Sequence, residues 1–226
     1  GDDRRTQIAY DAAADFDEAD LIADEEVLIS ITRRGYIKRT AADAYRTQGR
    51  GGKGATGMAT QEEDVVEQIF AAGSLDSILF FSDRGKVYQE RAYQIPDAGR
   101  ASKGVLLGSV LAVEHDEKIT ATVAVPEFGQ GYLTMVTRQG RIKRVALAEF
   151  AAVRPSGLIA ILLGDGDALG WAKLTRGDQE LILVAAGGRC IRFNENQVRT
   201  MGRAAAGVKA IRLRAGDAVA GMDVIS

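Results

Sequence analysis

Ile29-Ser-Ile-Thr-Arg-Arg-Gly-Tyr-Ile-Lys-Arg-Thr40 is an apolar run, a turn closed by Gly35, and a second run in which basic and apolar residues alternate. The pattern returns three times. It recurs as Leu79-Phe-Phe-Ser-Asp-Arg-Gly-Lys-Val-Tyr-Gln-Glu90, as Thr134-Met-Val-Thr-Arg-Gln-Gly-Arg-Ile-Lys-Arg-Val145, and as Leu183-Val-Ala-Ala-Gly-Gly-Arg-Cys-Ile-Arg-Phe193. The turn glycines Gly35, Gly85, Gly140 and Gly188 are 50, 55 and 48 residues apart. A second marker, Gly54, Gly104, Gly157 and Gly207, keeps the same beat at 50, 53 and 50. A fixed period of this size means that one supersecondary unit is repeated radially or linearly. Cations that recur in sequence then recur in space.

Each unit offers four strand-like runs. Beyond the hairpin pair come Gly104–Gly108, Leu158–Leu163 and Val208–Leu213, and then Val65–Ala71, Ile119–Val125, Ala168–Leu174 and Ala218–Val224. Four short strands per unit of about fifty residues predict an all-β, propeller-like array of four-stranded blades. The units read as 27–75, 76–127, 128–177 and 178–226. A sandwich is disfavoured because it does not repeat a four-strand unit. Helix signals are confined to single turns at Ala41–Tyr45 and Leu147–Phe150.

The 226 residues and 46% hydrophobic content suffice for a substantial core. The 26 glycines sit at regular intervals, which suits tight turns. No apolar run is long enough for a membrane span, and no signal peptide opens the sequence. The single cysteine, Cys190, excludes an internal disulfide and reads as a small packed side chain. The formal charge of −2 hides an asymmetry. Residues 2–26 carry ten acids and two bases, so residues 27–226 hold 27 bases and 21 acids, a net of +6. Residues 1–26 read as an acidic leader, with Thr6–Tyr10 as a possible short strand, ahead of a basic body.

The link inside the first unit, Tyr45-Arg-Thr-Gln-Gly-Arg-Gly-Gly-Lys-Gly-Ala-Thr-Gly57, is denser in glycine and cations than its counterparts. Glycine lets the main chain approach a bulky anion, and consecutive amides can form an anion-binding nest. Arg46, Arg50 and Lys53 add charge that suits a phosphate backbone. Gly49–Gly54 also matches the dinucleotide fingerprint in form, but the βαβ unit that fingerprint needs is missing. The phosphate-loop pattern fails, because Lys53 is followed by Gly54.

Gln48-Gly-Arg-Gly-Gly-Lys-Gly54 resembles the glycine- and arginine-rich seven-residue box of the C-terminal domain of the bacterial DNA gyrase A protein. The hairpins, Arg4-Arg-Thr-Gln-Ile8 and Val198-Arg-Thr-Met-Gly202 are similar to that family too, so the likeness covers nearly the whole chain. Gly49 departs from the family, which usually has Arg or Lys there. The related disc of topoisomerase IV usually carries a degenerate box, so a nearly intact one favours gyrase. The resemblance implies a β-pinwheel whose blades exchange strands, and a basic rim around which duplex DNA wraps with a fixed hand. That wrap lets the ATP-dependent enzyme introduce negative supercoils. It also implies that catalysis, ATP and magnesium lie elsewhere in the holoenzyme. The implied partners are double-stranded DNA, the rest of the gyrase A protein, and the gyrase B protein, in the bacterial cytoplasm and nucleoid. Four units against the family's usual six read as a fragment or a short form.

The candidate DNA contacts are Gln48, Gly49, Arg50, Gly51, Gly52, Lys53 and Gly54 of the box, with Arg46 beside it. From the first hairpin come Arg33, Arg34, Lys38 and Arg39. Later units add Arg84, Lys86, Arg100, Lys103, Arg138, Arg141, Lys143, Arg144, Arg189, Arg192 and Arg203. About a third are expected to be ordinary solvated charges, and alternation forbids Lys38 and Arg39 from facing the same way. A protein-interaction propeller and a nucleotide-binding loop are the competing readings. His115, in a polar turn without a second histidine, reads as exposed, and Trp171 reads as core. No catalytic, zinc or other metal site is expected.

Overall fold

The computed structural model describes residues 18–44, 64–99 and 101–225. Short 3-10 turns apart, the described chain is all β. The first repeat contains β1 (Glu26–Thr32), β2 (Tyr36–Ala41) and β3 (Val66–Gly73). The second contains β4 (Ser77–Ser82), β5 (Lys86–Arg91), β6 (Val105–Leu106) and β7 (Ile119–Val125). The third contains β8 (Tyr132–Thr137), β9 (Arg141–Ala146), β10 (Leu158–Ile159) and β11 (Leu169–Thr175). The fourth contains β12 (Glu180–Ala185), β13 (Cys190–Asn194), β14 (Val208–Lys209) and β15 (Val219–Ile225).

The hairpins repeat in register as well as in sequence. Their closing pairs are Ile31↔Ile37, Phe81↔Val87, Val136↔Ile142 and Val184↔Cys190. In three of them a hydroxyl at the end of the first strand accepts the amide just beyond the turn: Thr32 from Tyr36 at 3.1 Å, Ser82 from Lys86 at 3.3 Å, and Thr137 from Arg141 at 3.1 Å. The fourth repeat has Ala185 there and lacks this bond.

The third run of the second, third and fourth repeats leaves its own blade. β6 pairs with β2, β10 with β5 and β14 with β9, so the following repeat finishes the outer edge of the blade before it. The sheets are ordered β3-β1-β2-β6, β10-β5-β4-β7, β11-β8-β9-β14 and β13-β12-β15. Among the described residues the fourth sheet has three strands, β13-β12-β15.

The exchanged strands are two residues long, shorter than the apolar runs that announced them. Past those two residues the chain folds back onto the turn. Gly85 O accepts from Ala160 N and Ile161 N at 2.8 and 3.1 Å, and Gly140 O accepts from Ala210 N and Ile211 N at 2.9 and 3.4 Å. The glycine before each exchanged strand is needed there. Gly104 and Gly207 have φ of +76° and +77°, and a Cβ would stand 2.3 Å from Ile37 O and 2.4 Å from Ile142 O.

Strand alternation sorts the core into three clusters between consecutive blades. Ile78 and Phe80 face the first repeat, where they meet Ile29, Ile31 and Ile37. Leu79 and Phe81 face the third, against Leu133, Met135 and Val145, with Phe81 edge-on to Phe150 at 6.2 Å between centroids. Val136 and Ile142 face the fourth, against Leu181, Leu183 and Val198. This is why Ser77–Ser82 is buried throughout: a middle blade is covered on both faces. The fourth strands line up side by side on the inner edge, β11 lying against β7 and β15. Thr120 Oγ1 donates to Leu169 O at 2.9 Å, and Thr122 Oγ1 to Gln68 Oε1 at 2.7 Å.

The end of the acidic leader is pinned to the loop before β4. Ser74 N donates to Glu25 O at 2.8 Å, Ser74 Oγ to Ala23 O at 2.6 Å, and Glu25 N to Ser74 Oγ at 3.1 Å. At the other end of the array a buried ion pair latches the third blade to the fourth. Arg144 Nη1 lies 3.4 Å from Glu195 Oε2 and the guanidinium carbon lies 4.4 Å from the centroid of the Tyr132 ring. Glu195 Oε1 also accepts from Gly177 N and Gln179 N, at 2.7 and 3.1 Å. Burial alone would raise the Glu195 pKa, but hydrogen bonds from Thr175, Gln179, Gly177 and Arg144 outweigh it and hold the group below its ordinary 4.5.

These joints can be tested by substitution. Gly207→Ala meets both a strained φ, worth about 1–3 kcal/mol, and a backbone clash, so it should lower the unfolding temperature markedly. Gly188→Ala has an equally positive φ of +83° but nothing within 4 Å, so it should cost no more than the φ strain. Thermal unfolding of the two variants makes the comparison. For Glu195 the folded pKa lies below the unfolded one, so its contribution is present above about pH 4.5 and is lost as pH falls through the folded value. Glu195→Gln should flatten the acid limb of a stability-against-pH curve; an unchanged limb would contradict the latch.

Candidate nucleic-acid interface

The hairpin turns are held by acids at the start of each fourth strand, which fixes the cations on those turns. Asp64 Oδ1 accepts from Arg34 N and Val65 N at 3.1 and 2.9 Å. Asp167 does the same for Gln139 N and Ala168 N, and Asp217 for Gly187 N and Ala218 N, all at 2.8–2.9 Å. The second repeat has Glu117 instead. The longer side chain turns inward, accepting from Tyr88 Oη at 2.7 Å and Glu114 N at 3.1 Å. Burial, with this carboxylate beside it, pushes the Tyr88 phenol well above its ordinary range.

The nominated cations fall into exposed, acid-paired and buried groups, with the half-buried Arg39 and Arg141 between the last two. Arg33, Arg34, Lys103, Arg138 and Arg189 are exposed on turns and crossing loops. Lys103 lies 4.8 Å above the Tyr36 ring, and Arg138 5.7 Å above Trp171. A second group is paired with acids: Arg33 with Glu67 at 3.0 Å, Lys86 with Glu114 at 2.6 Å, Arg84 with the same Glu114, Arg192 with Glu180 at 3.1 Å, and Arg203 with Glu149 at 3.8 Å. Exposed pairs of this kind are worth about 0–1 kcal/mol, so a phosphate can displace the carboxylate. Glu114 is shared by two cations, which makes the second turn the least available. Arg39 and Arg141 are half-buried and spend donors on carbonyls, Arg39 Nε on Ile95 O at 3.2 Å and Arg141 Nε on Ala206 O at 2.9 Å.

The third group corrects the sequence reading. Lys38 and Lys143 are 0% exposed and Arg144 is 7% exposed. Lys38 Nζ donates to Gly99 O and Ser102 O, at 3.2 and 3.0 Å. Lys143 Nζ donates to Ala160 O at 2.7 Å, Ala205 O at 3.0 Å, and Arg203 O. The ammonium groups are spent on these carbonyls, and for Lys143 the bond to Ala160 O is fully buried, so these lysines are interior fasteners rather than phosphate contacts. Cys190 is another correction: it is exposed on the open edge of β13 rather than packed. Trp171 is partly buried against the third core, and His115 is fully exposed. Gln48, Gly49, Arg50, Gly51, Gly52, Lys53, Gly54, Arg46 and Arg100 lie outside the described residues.

Sequence reasoning missed Lys209, Arg212 and Arg214, which are exposed on and just after β14. The alternation in Val208-Lys-Ala-Ile-Arg-Leu-Arg214 carried the signal. Lys209 and Arg212 join Arg189, Cys190, Ile191, Ala210 and Ile211 around an open groove of about 660 Å³ beside β13. Three cations and no carboxylate line it. The groove between the first two blades, about 720 Å³, mixes Arg33, Arg34 and Lys118 with Glu67, Glu114 and Glu117. Of these two grooves, only the one beside β13 is lined by cations alone.

The chain is similar in sequence and fold to known proteins. The DNA gyrase A protein of Clostridium acetobutylicum is 46% identical over 210 residues, 92% of this chain and 25% of the relative. That of Ureaplasma parvum is 42% identical over 226 residues, 100% of this chain and 27% of the relative. The chain thus spans about a quarter of the length of these curated relatives. Among solved structures, the C-terminal domain of DNA topoisomerase IV superposes with a TM-score of 0.75 at 29% identity, covering 91% of this chain and 62% of that one. A DNA gyrase A C-terminal domain gives 0.72 at 25% identity, covering 88% and 65%. A family model described as the DNA gyrase C-terminal domain, beta-propeller, matches four times, at residues 26–72, 76–125, 131–174 and 179–226. With one match per blade, the chain belongs to the DNA gyrase C-terminal domain family and has its β-pinwheel fold.

Proposed function

We propose that this chain binds duplex DNA through its outer cations and wraps it, as the non-catalytic wrapping domain of a DNA gyrase. The observation that carries the reading is that exposed cations recur on the turns and crossing loops of successive repeats, at Arg33, Lys103, Arg138 and Arg189. Such an array is matched to phosphates and indifferent to base sequence. Lys209 and Arg212, beside Arg189 in the groove along β13, extend the path, and the glycine-rich box adds Arg50 and Lys53. Bending a site of 20–30 base pairs costs on the order of 1–6 kcal/mol, so many distributed contacts are needed to offset it. In the holoenzyme, the handed wrap would bias strand passage toward negative supercoils. ATP hydrolysis, magnesium binding and DNA cleavage would belong to the remainder of the gyrase A protein and to the gyrase B protein, in the bacterial cytoplasm.

Binding of short duplexes across a salt series tests this. The affinity should fall steeply with salt and differ little between unrelated sequences. Removing the groove cations together (Arg189→Ala, Lys209→Ala, Arg212→Ala) should lower the log–log slope by about three, near 0.9 for each lost phosphate contact. A wild-type affinity that ignores salt, or a slope unmoved by the triple change, would contradict the proposal.

A further inference from the structure

The position three residues beyond each turn glycine is occupied by Lys38, Tyr88, Lys143 and Ile191. In the first three repeats that side chain is wholly or almost wholly buried and meets the loop arriving from the next repeat. Tyr88 does so through its ring: a Cβ on Gly157 would stand 2.7 Å from it. The two lysines do so through hydrogen bonds. Lys143 is the fuller case, because its ammonium has three N–H donors and three carbonyls converge on it. Two of these, Arg203 O and Ala205 O, belong to the loop that leads from the fourth repeat into β14. The third, Ala160 O, belongs to the chain just after β10. One side chain thus fastens segments from two repeats against the third blade. Burial lowers its pKa to about 8, which leaves the ammonium the main form at neutral pH.

The loop it holds carries charge. Arg199, Arg203, Lys209 and Arg212 all lie on the segment from the end of the fourth hairpin to the turn after β14, and all but Arg203 are exposed. Lys38 does the equivalent for the loop that carries Lys103. We propose that Lys143 and Lys38 are positioning residues for DNA: they stay inside the protein and set the crossing loops so that the cations on those loops face the duplex. This rests on the DNA-binding reading, but the clamp itself can be tested without DNA.

Hydrogen exchange comes first. Lys143→Met keeps the unbranched stem, one atom shorter, and removes every donor. Amides held within the clamped segment, Met201 on Arg144 O and Ala205 on Gly202 O, should exchange at least tenfold faster, while those of β4 and β5 stay as they are. Unchanged rates would overturn the clamp. Duplex binding comes second. In Lys143→Met the salt slope should fall by about two, as it does in Arg203→Ala/Lys209→Ala, and the triple change should lower it no further. A direct phosphate contact would instead lower the slope by one and add to the double change, and an unmoved slope would mean a structural role only; both overturn the proposal. If Lys143→Met does not fold, Lys38→Met is read in the same two ways on the 99–104 loop. Failure of the wild-type chain to bind DNA would sink the function and leave the exchange result standing.

Discussion

At the outer edge of a blade, Ile37, Val87 and Ile142 each pair with a residue lent by the following repeat. That loan is the constraint on which the rest depends. It satisfies backbone groups on an edge that would otherwise face solvent or another chain. It brings the following chain across the joint between blades, where Leu107, Ile161 and Ile211 enter the cores. It also forces the glycine before each exchanged strand: a Cβ would strike the partner backbone at Gly104 and Gly207 and the Tyr88 ring at Gly157. The same crossing carries cationic loops to the outside. Structure and charge therefore share a cause: the residues that finish a sheet are followed or preceded by the residues proposed to meet DNA.

The basic residues divide according to what they would leave behind on moving. Arg33 or Arg192 can exchange an exposed carboxylate for a phosphate at little cost, whereas Lys143 would abandon three buried carbonyls and Arg144 a buried carboxylate. The recurring hairpin therefore supplies interior fasteners from its second strand and surface cations from its turn. The second repeat shows how one substitution of type redirects this scheme. Where other repeats have an aspartate that ties the turn, Glu117 reaches the Tyr88 phenol instead, and the neighbouring Glu114 neutralises Arg84 and Lys86.

Much of the fold was legible because it is local. The hairpins, the turn glycines and the last run of each repeat are encoded in contiguous residues with period two, and the single turns at 42–44 and 147–150 lie where the sequence placed them. The partner of the third run was not legible from the residues themselves. A two-residue strand carries no periodicity, and its destination is set by a glycine and a carbonyl some 65 residues apart, as with Gly207 and Ile142. The strand exchange came from the resemblance alone. The site was read less well than the fold. Alternation indicated that one of Lys38 and Arg39 had to turn inward, but a lysine next to an arginine on an exposed-looking strand gives no sign of the carbonyls, more than 60 residues on, that bury it. Conversely, Lys209 and Arg212 were overlooked although both lie in the alternating run Val208–Leu213, of which only the first two residues form a strand.

The central claim is that a repeated joint between blades presents cations in a fixed geometry that wraps DNA. Sealing nicked plasmid with ligase in the presence of rising amounts of this chain, then removing the protein and reading the linking number on a gel, tests it most directly. The account predicts a progressive shift in one direction as protein is added. A linking number that stays at the protein-free value, at concentrations where the plasmid is fully bound, would contradict it.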